Sequence, residues 1–268
     1  MTSTTLKPLS DGFVVARRNL IKVRRVPDLL VAAIAAPIMF ILLFAYVLGS
    51  SINVPGVSYK EFLMAGIFAQ TMVFGATATG AGLAQDIHRG IIDRFRSLPM
   101  SPGAVLLGRT TSDLATNTIV VVVMSLTGLL VGWRIHTSVL SALGGFLLLL
   151  AFAYALSWMM AVIGLSVRTP EVFGNISFMA TFPLTFIANT FVSTENLPGP
   201  LKVIAEWNPV SSIVQASRQL FGNIGAGTPE PDALPLRYPV AASLIWIAVL
   251  LLVFIPLAIR RYQSAVRH

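Results

Sequence analysis

Apolar positions in this chain gather into long uninterrupted blocks rather than alternating with polar ones. Six blocks, residues 29–48, 62–84, 114–133, 139–167, 172–192 and 240–259, contain no Asp, Glu, Lys or Arg. A helix crossing ~30 Å of hydrocarbon at ~1.5 Å per residue needs about 20 apolar residues. Each block meets that length, so the pattern predicts six transmembrane helices and an all-α, polytopic membrane protein. The expected organisation is a cytoplasmic N-terminus over 1–28, one transmembrane domain over 29–260 and a cytoplasmic tail over 261–268.

Three connecting segments carry patterns of their own. Over residues 11–25, Phe13, Ala16, Leu20, Ile21 and Val23 share one side of a helical wheel, while Arg18, Lys22 and Arg25 share the other. Arg17 and Arg24 stand near the apolar side and can snorkel to headgroups. The segment reads as an interfacial helix; the alternative is a solvated basic tail. Over residues 85–98, Ile87, Ile91, Phe95 and Leu98 form an apolar stripe, and Asp86, Arg89, Asp93 and Arg96 a stripe of alternating charge. That pattern predicts a short amphipathic helix across the cytoplasmic ends of two spans, ended by Pro99, with Gly90 leaving room for an approaching surface. The alternative is a helix that merely rests on the bilayer. Between the last two spans, two short helical stretches, 201–207 and 210–220, are broken by Asn208-Pro209. They are too short to span and read as a re-entrant or interfacial hairpin outside the membrane.

Composition agrees with the pattern. Of 268 residues, 55% are apolar and 11% charged, with mean hydropathy +0.79. A soluble domain carries about 25% charged residues, so this chain lacks the charge to cover a water-exposed globule. The net charge of +8 reads as topology rather than nucleic-acid binding, because no basic stripe carries the interleaved aromatic residues that base stacking requires. Lys7, Arg17, Arg18, Lys22, Arg24, Arg25, Arg89, Arg94, Arg96, Arg109, Arg168, Arg260, Arg261 and Arg267 fall on one side of the six-span arrangement. Lys60, Arg134, Lys202, Arg218 and Arg237 fall on the other. The excess places both termini in the cytoplasm. The first 28 residues are too long and too polar for a cleavable signal.

Candidate chemistry is sparse. The chain has no cysteine, and its three histidines, His88, His136 and His268, are far apart. No catalytic, cofactor-binding or metal-binding residues are expected. Residues 103–110 nearly match a phosphate-binding loop, but Arg109 replaces the lysine and no strand precedes it. The match is read as chance. Asp113 and Glu171 are expected at the cytoplasmic edges, leaving the span interiors uncharged, which argues against ion-coupled transport. Gln70, Asn117, Asn175 and Asn189 are the polar candidates for an apolar substrate path. The small residues Gly75, Ala76, Thr79, Gly80 and Gly82 suit close helix packing. A transport path driven by a separate motor fits these features.

The order of segments, together with Asp86-Ile-His-Arg-Gly-Ile-Ile-Asp-Arg-Phe-Arg-Ser-Leu-Pro-Met100 and Asn-Pro-Val-Ser-Ser-Ile-Val-Gln-Ala-Ser-Arg at 208–218, resembles the permease subunits of ABC-2 type exporters. Within that family it resembles the daunorubicin-resistance branch, over nearly the whole chain from about Phe13 to Arg261. The resemblance implies a partner ATPase that binds ATP and Mg, a second permease of the same or a related chain, and a hydrophobic drug, antibiotic or lipid as substrate. It implies that 85–98 is the coupling helix, with Asp86, Arg89, Gly90, Ile91, Asp93, Arg94, Phe95 and Arg96 facing the ATPase or the bilayer. It implies that 11–25, with Phe13, Arg17, Arg18, Leu20 and Lys22, is the connector helix. It further implies that the hairpin around Trp207, Asn208 and Pro209 closes the outer end of the path. Many relatives carry Glu where this chain has Asp86. The competing reading is a polytopic assembly or lipid-handling protein with no ATPase.

Overall fold

The computed structural model of the chain describes residues 27–48, 56–91, 102–191, 194, 197–225, 228 and 230–265. Nine helices stand in order among them: α1 (Pro27–Leu43, continued by a π-helical stretch, Phe44–Leu48), α2 (Tyr59–His88), α3 (Pro102–Val131), α4 (Val139–Ser166), α5 (Pro170–Phe186), α6 (Gly199–Glu206), α7 (Pro209–Phe221), α8 (Leu234–Arg237) and α9 (Pro239–Ala265). No strand occurs among the described residues. Tyr59–His88, Gly103–Val131, Val139–Ser166 and Pro239–Ser264 are long and apolar enough to cross a membrane. The other two expected spans are shorter: α1 contains the apolar helix Ile34–Val47, and α5 has 17 residues.

Local sequence sets the helix ends. Ser58, Ser138 and Thr169 each accept a hydrogen bond from the backbone N–H three residues on, capping α2, α4 and α5. Asn208 does the same for α7 through Val210 N at 2.8 Å. Pro170 and Pro209 occupy the first turns of α5 and α7, where a missing N–H costs nothing.

Three boundaries depart from the hydropathy pattern. Helix α3 starts at Pro102, well before the apolar block at 114. Arg109 and Asp113 ended that block, but they pair one turn apart at 3.3 Å and the helix runs through them. Helix α5 stops at Phe186 rather than 192, because the carbonyls of Asn189 and Thr190 turn away to Arg218. The third concerns the expected amphipathic helix at 85–98. Its first turn is not separate: helix α2 continues through His88. The break falls at Gly90, whose φ of 64° lies in the left-handed region and whose N–H donates to Ile87 O at 2.9 Å. Gly90 thus makes a left-handed turn at the end of α2. Ile91 is helical again, and Asp93, Arg94, Phe95 and Arg96 lie outside the described residues, as does the whole of 11–25.

The near-match to a phosphate loop is two turns of α3. It has the helical backbone of that first stretch, not a strand–loop–helix turn.

Helix α4 is the centre of the bundle, packed on by α2, α9, α7, α3 and α5. Its tightest neighbour is α2. A Cβ on Gly164 would collide with the backbone of Gly80, and one on Gly80 with Met160 O and the Phe173 ring. The small residues of the second block therefore serve packing. A larger cluster fills the middle of the bundle and the end that holds α7, including Phe68, Trp133, Phe152 and Phe221. A smaller one, with Leu83, Leu106, Trp158, Ala258 and Tyr262, fills the end where α2 runs out and α3 begins.

Gly164→Leu should lower stability by at least the ~1–3 kcal/mol of ordinary overpacking, because backbone opposes it. Gly174→Ala, which meets open space, should leave stability unchanged or slightly raised. Thermal unfolding of the two purified variants in one detergent checks the contrast.

Candidate functional site

Helices α2 and α3 diverge enough to leave a cavity of about 520 Å³ between them, α1 and α5. That is within the range that holds a drug-sized molecule, roughly 300–1,000 Å³. One wall is polar. Gln70 and Thr71 of α2 and Asp113, Thr116 and Asn117 of α3 line it. The opposite wall is aromatic, with Phe40 of α1 and Phe178, Phe182 and Phe186 of α5; Phe74 of α2 adds a fifth ring.

The rings form an arch. Phe178, Phe182 and Phe186 follow one another along α5 at centroid separations of 5.1 and 4.2 Å. Phe186 meets Phe191 at 5.5 Å, Phe191 stacks on Phe44 at 4.4 Å, and Phe44 on Phe40 at 5.7 Å. These separations suit ring–ring contact. The arch joins α1 to α5, which otherwise do not pack closely. Phe40, Phe178, Phe182 and Phe186 are all substantially exposed, so this wall is the open side of the cavity.

The four polar path candidates part company. Gln70 and Asn117 both line the cavity, are 3% and 5% exposed, and have amide nitrogens with no hydrogen-bond partner. The Asn117 amide fits because position 75 has no side chain. Asn175 does not join them: it lies on the exposed side of α5, since the buried stripe of that helix is Phe173, Ser177, Thr181 and Thr185. Asn189 is buried elsewhere, in the turn beneath α7. Its N–H donates to Ser211 Oγ at 3.1 Å, and its carbonyl accepts from Arg218 at 2.8 Å.

Hydropathy missed the charged pair at the cavity. Asp113 is the twelfth residue of α3, about 17 Å from the helix start along its axis at ~1.5 Å per residue. Its Oδ2 accepts from Thr79 Oγ1 at 2.6 Å and from Arg109 Nε at 3.3 Å. Arg109 also donates to Ala78 O at 3.1 Å and fits only because position 82 is glycine. The i, i+4 spacing of Arg109 and Asp113 was the available signal, as was the four-residue spacing of Phe178, Phe182 and Phe186.

Beyond the cavity, the hairpin divides into two unlike arms. Helix α7 is buried on nearly every side and bolted down. Asn208 Nδ2 donates to Leu184 O at 2.7 Å. Thr137 Oγ1 donates to Leu220 O at 2.5 Å, and His136 N to Phe221 O at 2.9 Å. Trp133 Nε1 donates to Asn223 Oδ1 at 2.7 Å. Arg218, 3% exposed, donates from Nε to Phe62 O at 3.1 Å and stacks 3.5 Å above the Phe62 ring. Burial lowers its pKa to about 9, with Tyr59 opposing, so it remains a cation at neutral pH. By contrast α6 turns Leu201, Val203, Ile204 and Trp207 outward, with Trp207 56% exposed. Asn208 and Pro209 thus cap and start α7, while Trp207 belongs to the exposed arm.

The sequence was compared with known proteins. The family model described as ABC-2 type transporter matches residues 12–221. A daunorubicin resistance ABC transporter permease protein of Streptomyces coeruleorubidus is 31% identical over 251 residues, 94% of this chain and 85% of the relative. A doxorubicin resistance ABC transporter permease protein of Mycobacterium tuberculosis is 27% identical over 147 residues, 52% of this chain and 50% of the relative.

Removing the guanidinium of Arg218 would strand three carbonyls beneath α7. Arg218→Leu should therefore destabilise the protein by about 2–4 kcal/mol, from lost charge-assisted bonds and stacking. Arg218→Lys should recover only part, because a single ammonium cannot reproduce the planar fork. Thermal unfolding of the purified variants reads both.

Proposed function

The chain belongs to the ABC-2 type transporter family and is a permease subunit of an ABC exporter, and from that premise we propose how its parts divide the work. A separate ATPase subunit binds and hydrolyses MgATP. This chain pairs with a second permease, the same or a related chain, and moves a hydrophobic drug, antibiotic or lipid outward across the cytoplasmic (inner) membrane. Both termini are cytoplasmic, six helices span, with α1 and α5 the short ones, and the hairpin lies outside. The observation that carries this reading is the cavity between α2, α3 and the aromatic arch, whose open side lies between α1 and α5. An apolar molecule can enter it from lipid without crossing water.

The route from motor to cavity is one helix. Helix α2 is 30 residues long, about 45 Å at ~1.5 Å per residue. Its middle carries Gln70 and Phe74, and its end meets the turn at Gly90, after which the segment to 98 begins. In this reading Asp86, Arg89, Ile91, Asp93, Arg94, Phe95 and Arg96 take the ATPase's movement, and α2 carries it as a rod to the cavity wall. The connector role of Phe13, Arg17, Arg18, Leu20 and Lys22 belongs to the same proposal. So does closure by the hairpin, with α7 the fixed arm and α6, carrying Trp207, the free one.

The chain has no cysteine, so single cysteines report cleanly. Cysteines at Ser3 and Ser264 should resist a membrane-impermeant thiol reagent in intact cells, and one at Thr228 should label; labelling at Ser264 alone would end the six-span arrangement. Arg89→Glu/Phe95→Ala should lose ATPase copurification and efflux at matched membrane levels, and full retention of both would remove 85–98 from the coupling role. Reconstituted with its ATPase, the complex should show substrate-stimulated ATP hydrolysis. The permease purified alone should show none.

A further inference from the structure

We propose that Arg109 and Asp113 form a pin through which movement of α2 reaches α3, so that the polar wall of the cavity shifts as one body, an inference that rests on the exporter reading in which α2 carries the motor's movement. Both are then positioning residues for transport.

Helices α2 and α3 keep one antiparallel register along most of their length. Gly128 lies against Met64, Asn117 sits in the notch at Gly75, Asp113 stands beside Thr79, and Arg109 fills the notch at Gly82. Side-chain hydrogen bonds cross this seam at its two ends. At the end that holds α7, Lys60 Nζ donates to Val131 O at 3.1 Å. Toward the other end, Thr79 Oγ1 donates to Asp113 Oδ2 at 2.6 Å and Arg109 Nη2 to Ala78 O at 3.1 Å. Among the described residues no other side-chain hydrogen bond joins the two helices. Between these fixings the amides of Gln70 and Asn117 have no partner, and there the cavity opens.

The two ends differ in freedom. The loop after α3 is bonded to the end of α7 through Trp133, His136 and Thr137. At the opposite end α2 finishes at His88 and α3 begins at Pro102, so both helices lead to the segment at 85–98. A displacement there either moves them together or splays them apart around the cavity. Apolar packing resists splaying weakly. Val105 and Leu106 join the cluster with Leu83 and Trp158, but lipid tails are as apolar as these side chains. Hydrogen bonds to a carboxylate or from a guanidinium are directional and roughly twice as strong as neutral ones, so the pin holds the register.

A purely neutralising role for the pair predicts something different. Replacing an internal ion pair whole by apolar side chains is commonly neutral or stabilising. If Arg109 and Asp113 only cancel each other's charge, both can be removed together without consequence. If they pin α3 to α2, removing both leaves a folded protein in which α3 no longer follows.

The test uses the permease–ATPase complex in lipid nanodiscs and the absence of native cysteine in this chain. Thr71 of α2 and Thr116 of α3 both line the cavity. Each is replaced singly by cysteine, and the rate of its modification by N-ethylmaleimide is measured with ADP and after trapping with ATP and vanadate. Both Thr71→Cys and Thr116→Cys should change rate on trapping. In the Arg109→Leu/Asp113→Leu background the change at Thr116→Cys should be lost and that at Thr71→Cys kept, with ATPase copurification and thermal unfolding of the permease preserved. Thr79→Val, which keeps both charges, should reduce the change at Thr116→Cys and spare that at Thr71→Cys; it decides alone if the leucine variant does not fold. An undiminished change at Thr116→Cys in either background overturns the pin. So does loss at both positions together, which marks a structural role, and so does a response at Thr71→Cys alone without the added substitutions. No change at either cysteine in a complex that hydrolyses ATP overturns instead the reading in which α2 carries the motor's movement.

Discussion

Helix α2 can be approached from two sides at once because it lacks side chains where its neighbours come closest. Gly75 and Gly82 share one face and admit Asn117 and Arg109 of α3. Gly66 and Gly80 share the other and admit the turn at Thr190 and the backbone of α4 at Gly164. Lipid tails are as apolar as leucine, so burial gives little drive for helices to associate within the bilayer. Close backbone contact and polar groups must supply it. The central placement of α4, the depth of the charged pair and the shape of the cavity all depend on this one constraint.

From that packing the cavity follows. With α2 held hard against α4, α3 meets α2 through the long polar side chains of Asn117 and Arg109, seated where Gly75 and Gly82 leave room. Asn117 and Arg109 act as spacers, and the space beside them is roofed by phenyl rings from α1 and α5. Spacers that are polar put hydrogen-bonding groups on one wall, and a roof built from short helices leaves the other wall open. A largely apolar site with a few polar residues on one side suits a molecule that partitions into membrane.

The outer end obeys different physics. Among the described residues Arg218 has no carboxylate partner; backbone carbonyls of Phe62, Asn189 and Thr190 and the Phe62 ring hold it instead. It ties α7 to the start of α2 and to the turn after α5 in a single contact. A cation satisfied by neutral dipoles keeps its place without a counter-ion that could exchange with solvent ions. The hairpin's fixed arm therefore belongs to the body of the protein, and freedom is left to α6.

The sequence by itself determined the membrane class, the all-helical content and the place of most helices. Block length and charge exclusion are set by the hydrocarbon and read directly from composition along the chain. It also offered Gln70, Asn117, Asn175 and Asn189 alike as polar candidates, of which Gln70 and Asn117 line the cavity. Tertiary structure alone decided the rest. Asn175 and Asn189 look like Gln70 in sequence, yet one faces outward and the other holds a turn, because rotation about a helix axis is fixed by packing and not by composition. Asp113 and Arg109 end the apolar block, yet the helix runs on through them. A salt bridge one helical turn apart, with Thr79 opposite, cancels much of what a hydropathy window counts. The left-handed turn at Gly90 likewise came from the structure, since backbone conformation at a glycine is settled by what the chain does next.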